Sequence, residues 1–325
     1  MTHYLRIGSS VIALSVSLVC AAAVADAEPA RSVKVTVLST MLAGDPGRGV
    51  GEWGFAALVE VDGRRLLLDT GARPETVLRN AAELGIDLSG VTDLVITHNH
   101  ADHTAGLVTL RRELATKNAR ALSRAHVARG IFDPRLRPDG SEGNGLTPLK
   151  ADYEGLGGAF VEHAGPAELM PGVWFTGPVR RTHAERNWSG AGKVRTSGGL
   201  VEDIILEDAS IVVDTPDGLV VVSGCGHAGI INTIEQARRV VREAPVLAAV
   251  GGFHLFAADD GVLEWTGSKL KEFGLRYLLG AHCTGLEAVY RIRAMLRLTR
   301  STAVVGAVGS SFTLGAGISA LSLAQ

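Results

Sequence analysis

The sequence predicts an α/β protein built as two sheets covered by helices. Apolar strand-like runs alternate with helical periodicity in both halves of the chain. Each half carries an Asp-Gly turn that leads into an apolar run and a glycine-containing strand end. The two fragments that do so, DGRRLLLDTG and DGLVVVSGCG, align at one fixed offset, which suggests two related halves.

Residues 33–38 (VKVTVL) and 55–61 (FAALVEV) are rich in β-branched and apolar side chains, which suit a pleated, buried surface. Asp62-Gly63 tolerates the left-handed backbone of a tight hairpin and turns the second run into Leu66, Leu67 and Leu68. Residues 75–84 read as a helix, 94–97 (LVIT) as a short buried strand and 104–115 as the next helix. Residues 214–223 repeat the hairpin through Asp217-Gly218. Ile230, Ile234, Ala237 and Val241 then recur at spacings of four, three and four, the mark of an amphipathic helix. Strands follow at 246–250, 277–280 and 302–308, with helices at 268–273 and 286–298. The interval 117–199 is rich in Gly, Pro, Arg and polar residues with weak periodicity, and is expected to be a lid-like insertion in a domain spanning 28–325.

The chain has 325 residues, 46% hydrophobic and 20% charged, which excludes disorder and collagen-like repeats and allows a large core. Its 32 basic and 34 acidic residues nearly cancel, so no global field favours nucleic acid or an anionic membrane. A small-molecule substrate is the expected partner, with the oligomeric state left open. Residues 7–24 form an uncharged apolar stretch after Arg6, and Ala25-Asp26-Ala27 offers an A-x-A cleavage site. Residues 1–27 are therefore read as a signal peptide, with a periplasmic or secreted mature chain from Glu28 and no stable membrane insertion after cleavage; an uncleaved membrane anchor is the alternative, since the run is just long enough to span. Cys20 leaves with that segment. Cys225 and Cys283 then face an oxidising compartment, where they could pair or stay free.

Histidines carry the chemistry. His98, His100, Asp102 and His103 fall within six residues, beyond a buried strand and before a helix. Two imidazoles two residues apart at an extended strand end can address one metal; Asp102 and His103, after the bend, can address a second. One loop cannot complete two coordination spheres. His227, His254 and His282 each follow an apolar strand, where catalytic groups gather in sheet-based enzymes, and are the candidate distant ligands. His126, His163 and His183 lie in the polar interval and lack that context.

Asp69 in LLLDTG, the THNHADHTAGL block and the later isolated histidines resemble the successive motifs of the metallo-β-lactamase-fold hydrolases. More narrowly, GLVVVSGCGHAGIINT, VGGFHL and AHCTG resemble the branch named 7,8-dihydropterin-6-methyl-4-(β-D-ribofuranosyl)aminobenzene 5'-phosphate synthase. The resemblance implies an αββα sandwich, two mixed sheets flanked by helices, with metals between the sheet edges. It implies His98, His100 and His227 on a first metal and Asp102, His103 and His282 on a second. The superfamily commonly places a bridging Asp where this sequence has His254, and an imidazole cannot bridge two metals as a carboxylate can. His254 is left as a terminal ligand, an outer partner or a substrate contact. Asp69 is read as a carboxylate that orients a histidine ring or a water on the metal.

Zinc suits such donors, one or two ions per chain, and iron and manganese use similar sets. A divalent ion held by neutral imidazoles lowers the pKa of its water to about 7 and supplies hydroxide at neutral pH; Asp102 could take the proton. The leading reading is an exported metal-dependent hydrolase of a phosphoester, ester or amide. The pterin condensation suggested by the narrower resemblance is the second, against which export argues, and a metal- or ligand-binding protein without turnover is the third. Arg180 and Arg181 could clamp a phosphate or carboxylate through their planar forks of donors. Arg186 lies nearby, and Trp174 and Trp188 could cover an aromatic substrate.

Overall fold

A computed structural model describes residue 1 and residues 28–137, 139–185 and 192–324. The signal-peptide reading of residues 1–27, and Arg186 and Trp188, fall outside the described residues, Met1 apart. Two large mixed sheets face each other. The eight-stranded sheet runs, in spatial order, Gly317–Ser319, Ser311–Thr313, Val33–Ser39, Ala56–Val61, Arg64–Leu68, Asp93–Ile96, Arg124–Ala128 and Ala159–His163. The seven-stranded sheet runs Ala303–Val305, Tyr277–Gly280, Val246–Gly251, Gly218–Ser223, Ser210–Thr215, Val173–Phe175 and Ala167–Met170. A small third sheet, Gly199–Glu202, Lys193–Thr196 and Arg135–Leu136, adds to the two that the sequence predicts.

Side-chain alternation explains the layering. Val59, Val61, Leu66, Leu68 and Val95 point inward and meet Val220, Val222 and Val250 of the opposite sheet. Their neighbours Leu58, Leu67, Leu94 and Ile96 point outward onto Val77, Leu107, Leu110 and Tyr153. In the second sheet Leu219, Val221 and Ala249 pack outward on Ile230, Ile234, Leu263 and Ile292. With apolar residues on both faces, each central strand is buried on both sides, and the result is an αββα sandwich. No helix among the described residues is long and apolar enough to cross a membrane.

Three expectations need correction. The interval 117–199 supplies the strands Arg124–Ala128 and Ala159–His163 to the first sheet and Ala167–Met170 and Val173–Phe175 to the second. Much of it is therefore structural. Its strands are short and lie toward the sheet edges, so their exposed positions blur the periodicity. Trp174 sits on the outer face of the second sheet, half-buried against the helices there, rather than over a substrate. The helix expected at 268–273 begins at Asp260, because Asp259 caps it by accepting a hydrogen bond from Val262 N at 2.9 Å.

The paired hairpins meet at their ends. The strand Arg64–Leu68 ends at Asp69, the strand Gly218–Ser223 ends at Gly224, and a Cβ on Gly224 would collide with Asp69 Oδ2 and Thr97 Oγ1. Gly224→Ala is expected to lower stability by about 1–3 kcal/mol, as overpacking does, whereas Gly145→Ala, which meets open space, should stay within about 0.5 kcal/mol. Urea unfolding midpoints decide this; equal midpoints would show that the two hairpin ends do not pack as described.

Candidate metal centre

The strand Asp93–Ile96 lies parallel to Arg64–Leu68 and Arg124–Ala128, so its C-terminal end opens beside theirs. His100 has extended backbone (φ -67, ψ 144) and caps the short helix Ala101–Thr104. This bend separates His98 and His100 from Asp102 and His103. The loop is pinned: Phe55 N donates to Asp102 O at 3.2 Å, and Thr70 N and Oγ1 donate to His103 O, each at 2.8 Å. From the other sheet, His227, His254 and His282 follow three adjacent parallel strands, Gly218–Ser223, Val246–Gly251 and Tyr277–Gly280. Asp69, His254 and His282 all hold left-handed backbone, with φ of 56, 47 and 47. Such angles are uncommon outside glycine and gather where surrounding structure fixes a functional side chain.

Two sulfur-free donor sets result. His98, His100 and His227 offer ligand atoms that all lie within 4.8 Å of one another, and so do Asp102, His103 and His282. Local partners orient the rings. His98 Nδ1 is 3.0 Å from Thr97 Oγ1, while its buried Nε2 has no hydrogen-bond partner. His103 Nδ1 is 2.7 Å from Asp69 Oδ2 while its Nε2 lies 3.1 Å from Cys225 Sγ and 3.9 Å from Asp102 Oδ2, and His282 Nε2 is 3.3 Å from Asp102 Oδ2. A buried ring nitrogen without a partner is costly unless something fills it. Imidazole and carboxylate donors at this spacing, with carboxylate and hydroxyl groups behind the rings, fit a divalent cation.

Residues 54–240 match the metallo-beta-lactamase superfamily. The chain belongs to this superfamily. It is 29% identical over 267 residues to a Methanocaldococcus jannaschii protein named 7,8-dihydropterin-6-methyl-4-(beta-D-ribofuranosyl)-aminobenzene-5'-phosphate synthase, covering 79% of this chain and 89% of that one. Among solved structures, Tm1679, described as a metal-dependent hydrolase of the beta-lactamase superfamily, superposes with a TM-score of 0.68 at 26% identity, covering 86% of this chain and 98% of that one. Zn(2+)-bound PqqB from Methylobacterium extorquens shares the fold, with a TM-score of 0.52, 14% identity and coverage of 86% and 99%.

Within this superfamily site the charges are strongly perturbed. Burial, reinforced by the neighbouring His103, holds His98 well below the ordinary histidine range, and burial brings His100 down to about 4. Burial acts against charge on His103 too, yet Asp102 and Asp69 hold it up at about 9. Asp102 is itself kept well below the carboxylate range: burial opposes this, and His103 and His282 outweigh it.

The structure places the remaining candidates as follows. Asp69 is fully buried behind His103 and hydrogen-bonded by Thr97 N and Oγ1, each at 2.8 Å, so it acts through His103 and cannot touch a substrate. Arg181 spends Nη2 on the carbonyls of Ile204 and Ile205, and its charge faces Asp208, Glu207 and Asp203. It holds that loop in place of clamping an anion; Arg180 is exposed. His126 bonds Asp93 and His163, and His183 bonds Glu235. His254 does not join either donor set; its ring lies 4.5 Å from that of His227 and its ligand atom groups with Cys225 and Cys283. Those two thiols are free and buried, with sulfurs 3.3 Å apart.

Sequence reasoning missed two features. Asn99, between the first two histidines, donates to Glu207 Oε1 at 3.1 Å and accepts from Arg135 Nε at 3.2 Å in the amide orientation that satisfies both. Arg135 also pairs with Glu207 and Asp203, so a buried ionic knot braces the loop. Trp53 and Phe256, both about half exposed, stack edge-on at 5.6 Å, and Trp53 covers His282 at 4.9 Å. An exposed tryptophan after Gly51-Glu52 was the available signal.

Asp69→Asn is expected to weaken metal binding about 10–100-fold, as loss of an outer partner does, measured by competition with a chromogenic chelator; unchanged affinity would remove Asp69 from the site. Relative to a variant with His98, His100 and His103 all replaced by Gln, the chelated protein should also be most stabilised near pH 6.5. His98 and His100 stay neutral when folded but titrate at 6.5 when unfolded, so stability is lost as pH falls below 6.5. His103 contributes stability that is complete below 6.5 and lost as pH rises through about 9. Calorimetry across this range tests both limbs, and a steady rise from acid to alkaline pH would contradict the His103 assignment.

Proposed function

We propose that the chain is an exported metal-dependent hydrolase acting on a phosphoester, ester or amide. The observation that carries this is the pairing of two three-residue donor sets, His98, His100 and His227 beside Asp102, His103 and His282, at strand ends brought together from both sheets. A divalent cation held there supplies water activated at neutral pH and polarises a carbonyl or phosphoryl oxygen. Zinc is the proposed ion, with iron and manganese as alternatives that suit the same donors.

The chain's own residues have separable tasks. Asp69 fixes the tautomer and direction of His103 through its 2.7 Å contact. Asp102, about a fifth exposed at the cleft and held as a carboxylate, is placed to take and return a proton during attack and departure. Trp53 and Phe256 form an apolar wall beside His282 and His254 that suits a flat or apolar substrate group. A second reading, condensation chemistry on a pterin, is favoured by the match to the relative named as a synthase, which covers 79% of this chain and 89% of that one, and the aromatic wall suits it as well.

A panel of nitrophenyl phosphodiester, nitrophenyl ester and chromogenic β-lactam, with and without chelator, tests the hydrolase reading. His98→Ala and His227→Ala are expected to reduce turnover to the level of the chelated protein; unchanged rates would overturn it. Export predicts a mature chain beginning at Glu28 outside the cytoplasm, read by N-terminal sequencing, and retention of Met1 on the folded protein would contradict it.

A further inference from the structure

Two further groups of ligating atoms lie beside the two already described, and they share Cys225: one joins it to His98 and His103, the other to His254 and Cys283. Cys225 follows the strand Gly218–Ser223, His254 follows Val246–Gly251 and Cys283 follows Tyr277–Gly280. These strands are neighbours and run parallel, so Cys225, His254 and Cys283 come side by side at their C-terminal ends. The ligand atoms of the three all lie within 4.8 Å of one another. Both thiols are buried and not in a disulfide. Neither buried nitrogen of His254 has a hydrogen-bond partner.

The arrangement is also held in place. Leu255 N and Phe256 N donate to Cys283 O at 3.0 and 3.2 Å, and Phe253 N donates to Thr284 Oγ1 at 3.1 Å. The backbone around His254 is thus tied to that around Cys283, with His254 kept left-handed at φ 47. A fixed, unsatisfied imidazole facing two thiols is an expensive resting arrangement. It becomes favourable when a cation accepts all three donors.

We infer that Cys225, His254 and Cys283 form a third metal site, specific for a thiophilic ion such as zinc or copper(I). Two sulfurs and one imidazole select soft and borderline ions and reject magnesium and other hard cations. On binding a divalent ion each thiol loses its proton to solvent, two thiolates and one neutral imidazole bond the ion, and nothing is oxidised or reduced. Three protein donors leave a fourth position. This site abuts the histidine–aspartate set, since Cys225 Sγ is 3.1 Å from His103 Nε2, while His254 and Cys283 stand outside that set.

The test is an anaerobic cobalt(II) titration of the reduced, chelator-stripped full-length protein, read by thiolate-to-cobalt charge-transfer absorption in the near ultraviolet. Wild type and His98→Ala should both show the band, and Cys225→Ser and Cys283→Ser should each lose it. Absence of the band from wild type would overturn the proposal. So would its loss in Cys225→Ser with retention in Cys283→Ser, which would assign Cys225 to the histidine–aspartate set. Iodoacetamide labelling of wild type, read by mass spectrometry, guards against misfolded variants: zinc should protect both thiols alike. Protection of one alone or of neither, or recovery of the pair as a disulfide after zinc loading, would count against the site. The readout is cobalt–sulfur absorption, so a failure to find hydrolysis leaves it intact.

Discussion

The buried carboxylate of Asp69 is the constraint on which the site depends. It ends a strand of the first sheet in a left-handed conformation, accepts two hydrogen bonds from Thr97 and orients His103. Gly224 lets the end of the second sheet's hairpin approach it closely. One side chain thereby sets the position of the histidine loop, the direction of one ring and the distance between the sheets. Polar groups so buried are tolerated because each oxygen is satisfied.

Much of this was legible in the chain. Central strands such as Leu66–Leu68 and Val220–Val222 read clearly because both their faces are apolar, and the Asp-Gly turns fixed where hairpins reverse. The crowding of His98, His100, Asp102 and His103 announced ligating chemistry before any fold was known. Less legible were features made by pairing distant residues. Arg135 lies 72 residues from Glu207, and neither carries a local pattern. The edge strands within 117–199 alternate weakly because the neighbouring sheet, rather than their own sequence, stabilises them.

His254 shows where spacing alone misleads. As an isolated histidine after an apolar strand it looks equivalent to His227 and His282. Strand order separates them: parallel neighbours place it between two cysteines from the strands on either side. Residues 225, 254 and 283 are related through lateral adjacency in a sheet, a relation with no signature along the chain.

The closing strands of the first sheet have a consequence for how the molecule assembles. Ser311–Thr313 pairs with Val33–Ser39, and Gly317–Ser319 lies outside it, so one side of the strand Val33–Ser39 stays open until residues 311–319 are in place. Pairing between segments so far apart in sequence slows folding. Until residues 311–319 join, the sheet keeps an unpaired edge at Val33–Ser39, a template open to strand addition from another chain.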